Sequence, residues 1–190
     1  MKALDCEWYT PSYLPDAARA VMGGIDLDPA STTSANASVG ATTIYTSEED
    51  GLSRLWRGRV WLYPPHTQPI IGLFAAKLVE EVANGNVSEA IVLVNNATET
   101  RWWQTFARAS SAICLVRRRV KFWHPSGKTA TPTQGQVVLY FGPNVAAFRD
   151  AFASIGAVGV VPGSRDGCRC HPTPGRLLAD ATQPVREVPA

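Results

Sequence analysis

The run Ala90-Ile91-Val92-Leu93-Val94 constrains the fold more than any other stretch of this chain. It is of strand length and has no polar face, the pattern of a strand covered on both sides. A sheet buried on both faces needs helices above and below it. The flanking sequence supplies them. Ile70 to Ala83 carries apolar residues at 70, 71, 73, 74, 78, 79 and 82, a helical stripe stopped by Asn84-Gly85. Thr98 to Ala109 reads as a second helix and Ala112 to Val116 as the next buried strand. Val137 to Phe141 and Val145 to Ala153 give a closing strand and helix. Ile25 to Leu27 and Val60 to Leu62 are short strands earlier in the chain, and Val158 to Val161 is an edge strand. The alternation predicts an α/β sandwich around a mainly parallel sheet, with ligands beyond the carboxyl ends of its strands.

Composition narrows the partners. Of 190 residues, 45% are hydrophobic and 18% charged, which excludes wholesale disorder. A formal charge of +2 excludes a broad basic coat, so contact with nucleic acid must come from a local patch. No stretch approaches the roughly 18–20 apolar residues that span a bilayer. The opening residues lack the apolar core of a signal peptide, and Cys6, Cys114, Cys168 and Cys170 do not form a secreted disulfide framework. A cytoplasmic protein without a membrane partner is expected. From Pro162 to Ala190 there are five prolines, four arginines and no aromatic residue. Residues 1–161 are therefore expected to form the domain and 162–190 a peripheral tail. Cys168, Cys170 and His171 have no second ligand pair, so no metal is expected.

Chemistry should then sit where the strands end. After the first strand come Asp26, Asp28 and Pro29; carboxylates two apart on a strand share a face, and one there could accept from a ribose or an amine. The same residues also suit an acidic turn capping a helix through Ser31. No GxGxxG cradle for a dinucleotide is present. After Trp61-Leu62 comes Tyr63-Pro64-Pro65-His66, where two prolines stiffen the turn and leave the carbonyls of Tyr63 and Pro64 without local partners. After Val94 come Asn95 and Asn96, whose amides could pair with base edges, and then Trp102 and Trp103, which offer stacking faces or core. Arg117, Arg118, Arg119 and Lys121, followed by Phe122-Trp123, form the densest basic cluster, suited either to phosphates or to a solvated edge strand.

Taken in order, these residues resemble a known family. Glu7-Trp8-Tyr9-Thr10-Pro11, Ile25 to Ser31, Asp50-Gly51-Leu52, Trp56-x-Gly58-x-Val60-Trp61-Leu62 and Pro64-Pro65 are similar to the phage-type DNA N6-adenine methyltransferases. So are Glu89 to Asn96, Thr98-Glu99-Thr100-x-Trp102, Val120-Lys121-Phe122 and Pro132-Thr133-Gln134-Gly135-Gln136. The resemblance spans roughly residues 7–158 and implies a Rossmann-like fold, S-adenosylmethionine as cofactor and DNA as partner. By the same resemblance Thr10 and Pro11 lie beside the methionine moiety, and Asp28 with Pro29 takes the first-strand acidic position. Asp50 accepts from the cofactor's adenine amine, and Leu52 packs on that ring.

The sequence departs from the family at the catalytic turn. Its members carry Asn or Asp, then Pro-Pro, then Tyr or Phe. The first side chain and the next carbonyl accept both hydrogens of the adenine N6 amine, and the last ring stacks on the flipped base. Here Tyr63 and His66 stand at the two ends. A phenol is longer than a carboxamide and is chiefly a donor. Three functions are therefore expected in turn: an adenine-N6 methyltransferase; a base-modifying enzyme of altered chemistry using His66 as acid or base; or an inactive descendant that binds DNA or a partner.

Overall fold

The computed structural model describes residues 8–124 and 126–161. The chain runs α1 (Tyr13–Met22), β1 (Leu27–Asp28), α2 (Thr33–Val39), β2 (Thr43–Ile44), β3 (Gly58–Leu62), α3 (Ile70–Ala83) and β4 (Val87–Asn95). It continues as α4 (Arg101–Ala109), β5 (Ala112–Val116), β6 (Phe122–Trp123), β7 (Thr129–Ala130), β8 (Gln136–Phe141), α5 (Val145–Phe152) and β9 (Gly156–Val160). Seven strands form one sheet in the order β2-β1-β3-β4-β8-β5-β9. β2, β1, β3 and β4 pair in parallel, β8 runs antiparallel between β4 and β5, and β9 is antiparallel at the edge. This is a Rossmann-like methyltransferase sandwich with a mostly parallel sheet. A separate hairpin, β6–β7, lies outside the sheet.

The apolar run that opened the sequence reading shows why the sheet needs two layers. Along β4, Val92 and Val94 join the core beneath α3 and α4, while Ile91 and Leu93 join the core beneath α1 and α5. Side chains alternate across a strand, so an unbroken apolar run feeds both faces. Each such side chain contributes roughly 1.5–3 kcal/mol when fully buried. No helix is long and apolar enough to cross a membrane among the described residues.

The topology also locates the crevice. From β1 the chain moves through α2 to β2 on one side, and from β3 it moves through α3 to β4 on the other. The carboxyl ends of β1 and β3 are where the chain parts, the position at which open α/β sheets hold ligands. Gly51 brings the β2–β3 connection to this place: a Cβ on it would sit 2.0 Å from the Pro29 carbonyl oxygen. The Trp56 indole donates to the Gly51 carbonyl at 2.8 Å and anchors the loop from below.

Some sequence expectations are corrected. β1 is two residues long, so Ile25 and Asp26 precede it. The basic segment is a loop in which only Phe122 and Trp123 are extended. α1, α2, β2 and the small hairpin were not expected from the sequence, although α1 buries Leu14, Pro15, Ala18, Val21 and Met22 at helical spacing. Cys168, Cys170, His171 and the 162–190 segment lie outside the described residues.

Candidate active site

Two adjoining cavities open where β1 and β3 part. The first, of about 370 Å³, is lined by Thr10, Asp28, Trp61, Tyr63, Pro64 and His66 among others. The second, of about 390 Å³, has Pro29, Asp50, Leu52, Ile70 and Phe74 in its walls. Ala30, Ser31, Thr32 and Pro65 line both, so the two are lobes of one cleft. The N-terminal segment crosses the first lobe held from both sides. Tyr9 exchanges backbone hydrogen bonds with Trp123 of β6, and the Thr10 carbonyl accepts from the Ser38 hydroxyl of α2 at 3.2 Å.

Asp28 is the buried charge of the site, only 3% exposed. Its Oδ1 accepts from the Ala30 amide at 3.2 Å, and the Ser31 hydroxyl also bonds to the carboxyl. Burial outweighs both contacts and pushes its pKa up to about 6. Asp50 stands in the second lobe with a left-handed backbone (φ 51°), and its Oδ1 accepts from the Leu52 amide at 3.3 Å. Pro11 lines neither lobe.

At the double-proline turn the structure shows what replaced the family's end residues. The Tyr63 ring stacks on Phe122 with centroids 5.3 Å apart and planes 11° from parallel. Burial pushes its phenol up to about 12, so it is a neutral donor. His66 lies 5.5 Å from that ring and meets Trp102 edge-on at 6.3 Å. Its Nε2 accepts from the Asn95 amide at 3.1 Å, and burial lowers its pKa to about 4. At neutral pH the imidazole is therefore uncharged and has no imidazolium proton to give as an acid. Among the described residues, the Tyr63 and Pro64 carbonyls accept no turn or loop hydrogen bond.

Other expected site residues are placed elsewhere. Asp26 sits at the amino ends of β1 and β3, where its carboxylate accepts from Arg59 Nη2 at 2.6 Å and from Nε and the backbone N of Arg59 at 2.8 Å each. That pairing holds Asp26 below the usual carboxylate range and assigns it to the scaffold, not to the cofactor. Trp102 and Trp103 are buried in the core beneath α4 and offer no open face for stacking. Asn95 is committed: beyond its amide bond to His66, its Oδ1 accepts from Gln136 Nε2 at 3.1 Å. Asn96 is exposed beside Gly135. Arg117, Arg118, Arg119 and Lys121 are exposed on the loop between β5 and β6, with Arg119 donating to the Thr133 carbonyl.

Trp8 and Trp61 line the first lobe, and Phe122 and Gln136 support it through Tyr63 and Asn95; none of the four was assigned to the site from sequence. For Trp61 the signal existed, since it stands two residues before Tyr63, just past the end of β3, and extended backbone puts both on one side. Gln136 is 4% exposed and joins three segments: it donates to the Gln134 carbonyl and Asn95 Oδ1, and accepts from the Val120 amide at 3.4 Å. Only the folded chain reveals that junction. A search of curated proteins gives no match. The family model for DNA N-6-adenine-methyltransferase (Dam) matches residues 1–158, which include both strands of the cleft and the double-proline turn, and the chain belongs to that family.

Proposed function

We propose that the cleft binds S-adenosylmethionine and that the chain methylates the N6 amine of a DNA adenine seated on the Pro64–Pro65 turn. The observation that carries this reading is the pair of lobes sharing one wall at the parting of β1 and β3, with the Pro64 carbonyl unengaged in the first. The lining fits the two halves of such a cofactor. The second lobe offers the apolar side chains of Leu52, Ile70 and Phe74 to a flat ring, with the Asp50 carboxylate to accept from an amine. The first offers Asp28, whose buried charge a cationic group would stabilise. When bound, the cofactor supplies an electrophilic methyl group on a sulfonium.

The protein's share is orientation. The Pro64 carbonyl accepts one hydrogen of the amine and turns the nitrogen lone pair away from itself. Tyr63 is a poor substitute for the second acceptor, because its neutral phenol is longer than a carboxamide and chiefly donates. Loss of one preorganised partner costs on the order of 10²–10³ in rate, so slow transfer is the expected native behaviour. The basic loop at 117–121 supports DNA as the substrate, standing one residue from Phe122, which stacks on Tyr63.

That same stack favours a second reading, in which Tyr63 fills the seat and the chain binds cofactor and DNA without transfer. The altered-chemistry alternative would have to use His66 without an imidazolium acid at neutral pH, since burial lowers its pKa to about 4. Transfer of a labelled methyl group to adenine-containing DNA separates the two. Slow transfer by the wild type, raised about 10²–10³-fold in Tyr63→Asn, supports the enzyme. Binding of both ligands with no transfer by either protein supports the second reading, and an inability to bind the cofactor ends both.

A further inference from the structure

The backbone decides which nitrogen of His66 carries its proton. The Asn95 amide donates to Nε2 at 3.1 Å, so Nε2 is an unprotonated acceptor. A neutral imidazole has one proton, which then resides on Nδ1. The groups around the ring are Tyr63, Trp102 and the Asn95 backbone, none of them charged. Asn95 is itself fixed by Gln136, so the tautomer is held from behind by a buried brace. Among the described residues no protein atom accepts from Nδ1, and Trp103 Nε1 is the one fully buried side-chain nitrogen or oxygen left without a partner. Nδ1 is therefore a donor without a protein partner among the described residues, on a ring that lines the cleft.

The turn thus offers the Pro64 carbonyl as an acceptor and His66 as a donor, where the family sets two acceptors against the amine. Adenine presents the complement of that pair: its N6 amine is flanked by a ring nitrogen acceptor on either edge, N1 or N7. An Asn or Gln side chain reads adenine with the same donor–acceptor combination in DNA grooves. We infer that His66 donates from Nδ1 to a ring nitrogen of the target adenine while Pro64 accepts from its amine, making His66 the residue that selects the base. The inference rests on the proposed DNA-adenine reading. It also explains how a turn without Asn or Asp retains a grip on adenine.

The test uses the whole protein and short single-stranded oligodeoxyadenylates in which adenine is unchanged, 1-deaza or 7-deaza. Imidazole ¹⁵N NMR first reads the tautomer, with Nδ1 protonated in the free protein as the expected result; a proton on Nε2 overturns the inference. In binding, one deaza oligonucleotide is expected to be about tenfold weaker than the parent for the wild type, the loss of one hydrogen bond. In His66→Phe, which keeps a ring and removes the donor, that difference is expected to vanish. Equal binding of all three oligonucleotides by the wild type, or discrimination that persists in His66→Phe, refutes the role of His66 while leaving the DNA reading intact. Failure of the wild type to bind the unmodified oligonucleotide refutes both.

Discussion

Asp28 and His66 line the same lobe and are shifted in opposite senses by the same cause, loss of water. The folded pKa of Asp28, about 6, lies above its ordinary 3.8, so its contribution to stability is present at low pH and lost as pH rises through about 6. His66, at about 4 folded against an ordinary 6.5, contributes stability above its ordinary value and loses it as pH falls toward about 4. Between those limits the two trends oppose each other. Thermal unfolding of the variants should expose them one at a time. Relative to wild type, Asp28→Asn should gain stability from about pH 4.5 to 7 and His66→Phe should lose it, each by on the order of 1–2 kcal/mol. Parallel curves for all three proteins contradict the assignment. Of these residues, sequence pointed to both positions but not to their charge states, because desolvation depends on what packs around them.

At the scale of elements, the junction of β1 and β3 has two ends with different duties. The amino end is locked by Asp26 against Arg59, and Gly58 is required there because a Cβ would come within 2.5 Å of Asp26 Oδ2. The carboxyl end opens into the cleft. Asp26→Asn should therefore cost up to about 1 kcal/mol, since the pair is more than a third exposed and screened by solvent, and leave cofactor affinity unchanged. A loss of cofactor binding in that variant, measured by calorimetry, would return Asp26 to the site. Sequence could not separate the two aspartates because a spacing of two implies one face of a strand, whereas the strand begins only after Asp26. α3 and β5 were legible to the residue, being bounded by turn residues and strongly patterned. The hairpin β6–β7 was not, since two-residue strands carry no period.

Across the whole molecule, the cleft, the double-proline turn and the basic loop converge although they lie far apart in the chain. Gln136 and Phe122 make the convergence, one by hydrogen bonds and the other by stacking. Three basic side chains of the loop, Arg117, Arg118 and Lys121, are exposed. Replacing them together with Gln should weaken DNA binding and flatten the slope of log K against log salt by about 2–3. An unchanged slope removes the loop from the interface. The measurement that tests the central claim most directly is calorimetric titration of S-adenosylmethionine into the wild type and into Ala30→Trp, which fills the wall shared by both lobes. The expected result is saturable binding near one equivalent by the wild type and none by Ala30→Trp with its fold intact by circular dichroism. No binding by the wild type, or undiminished binding by Ala30→Trp, contradicts it.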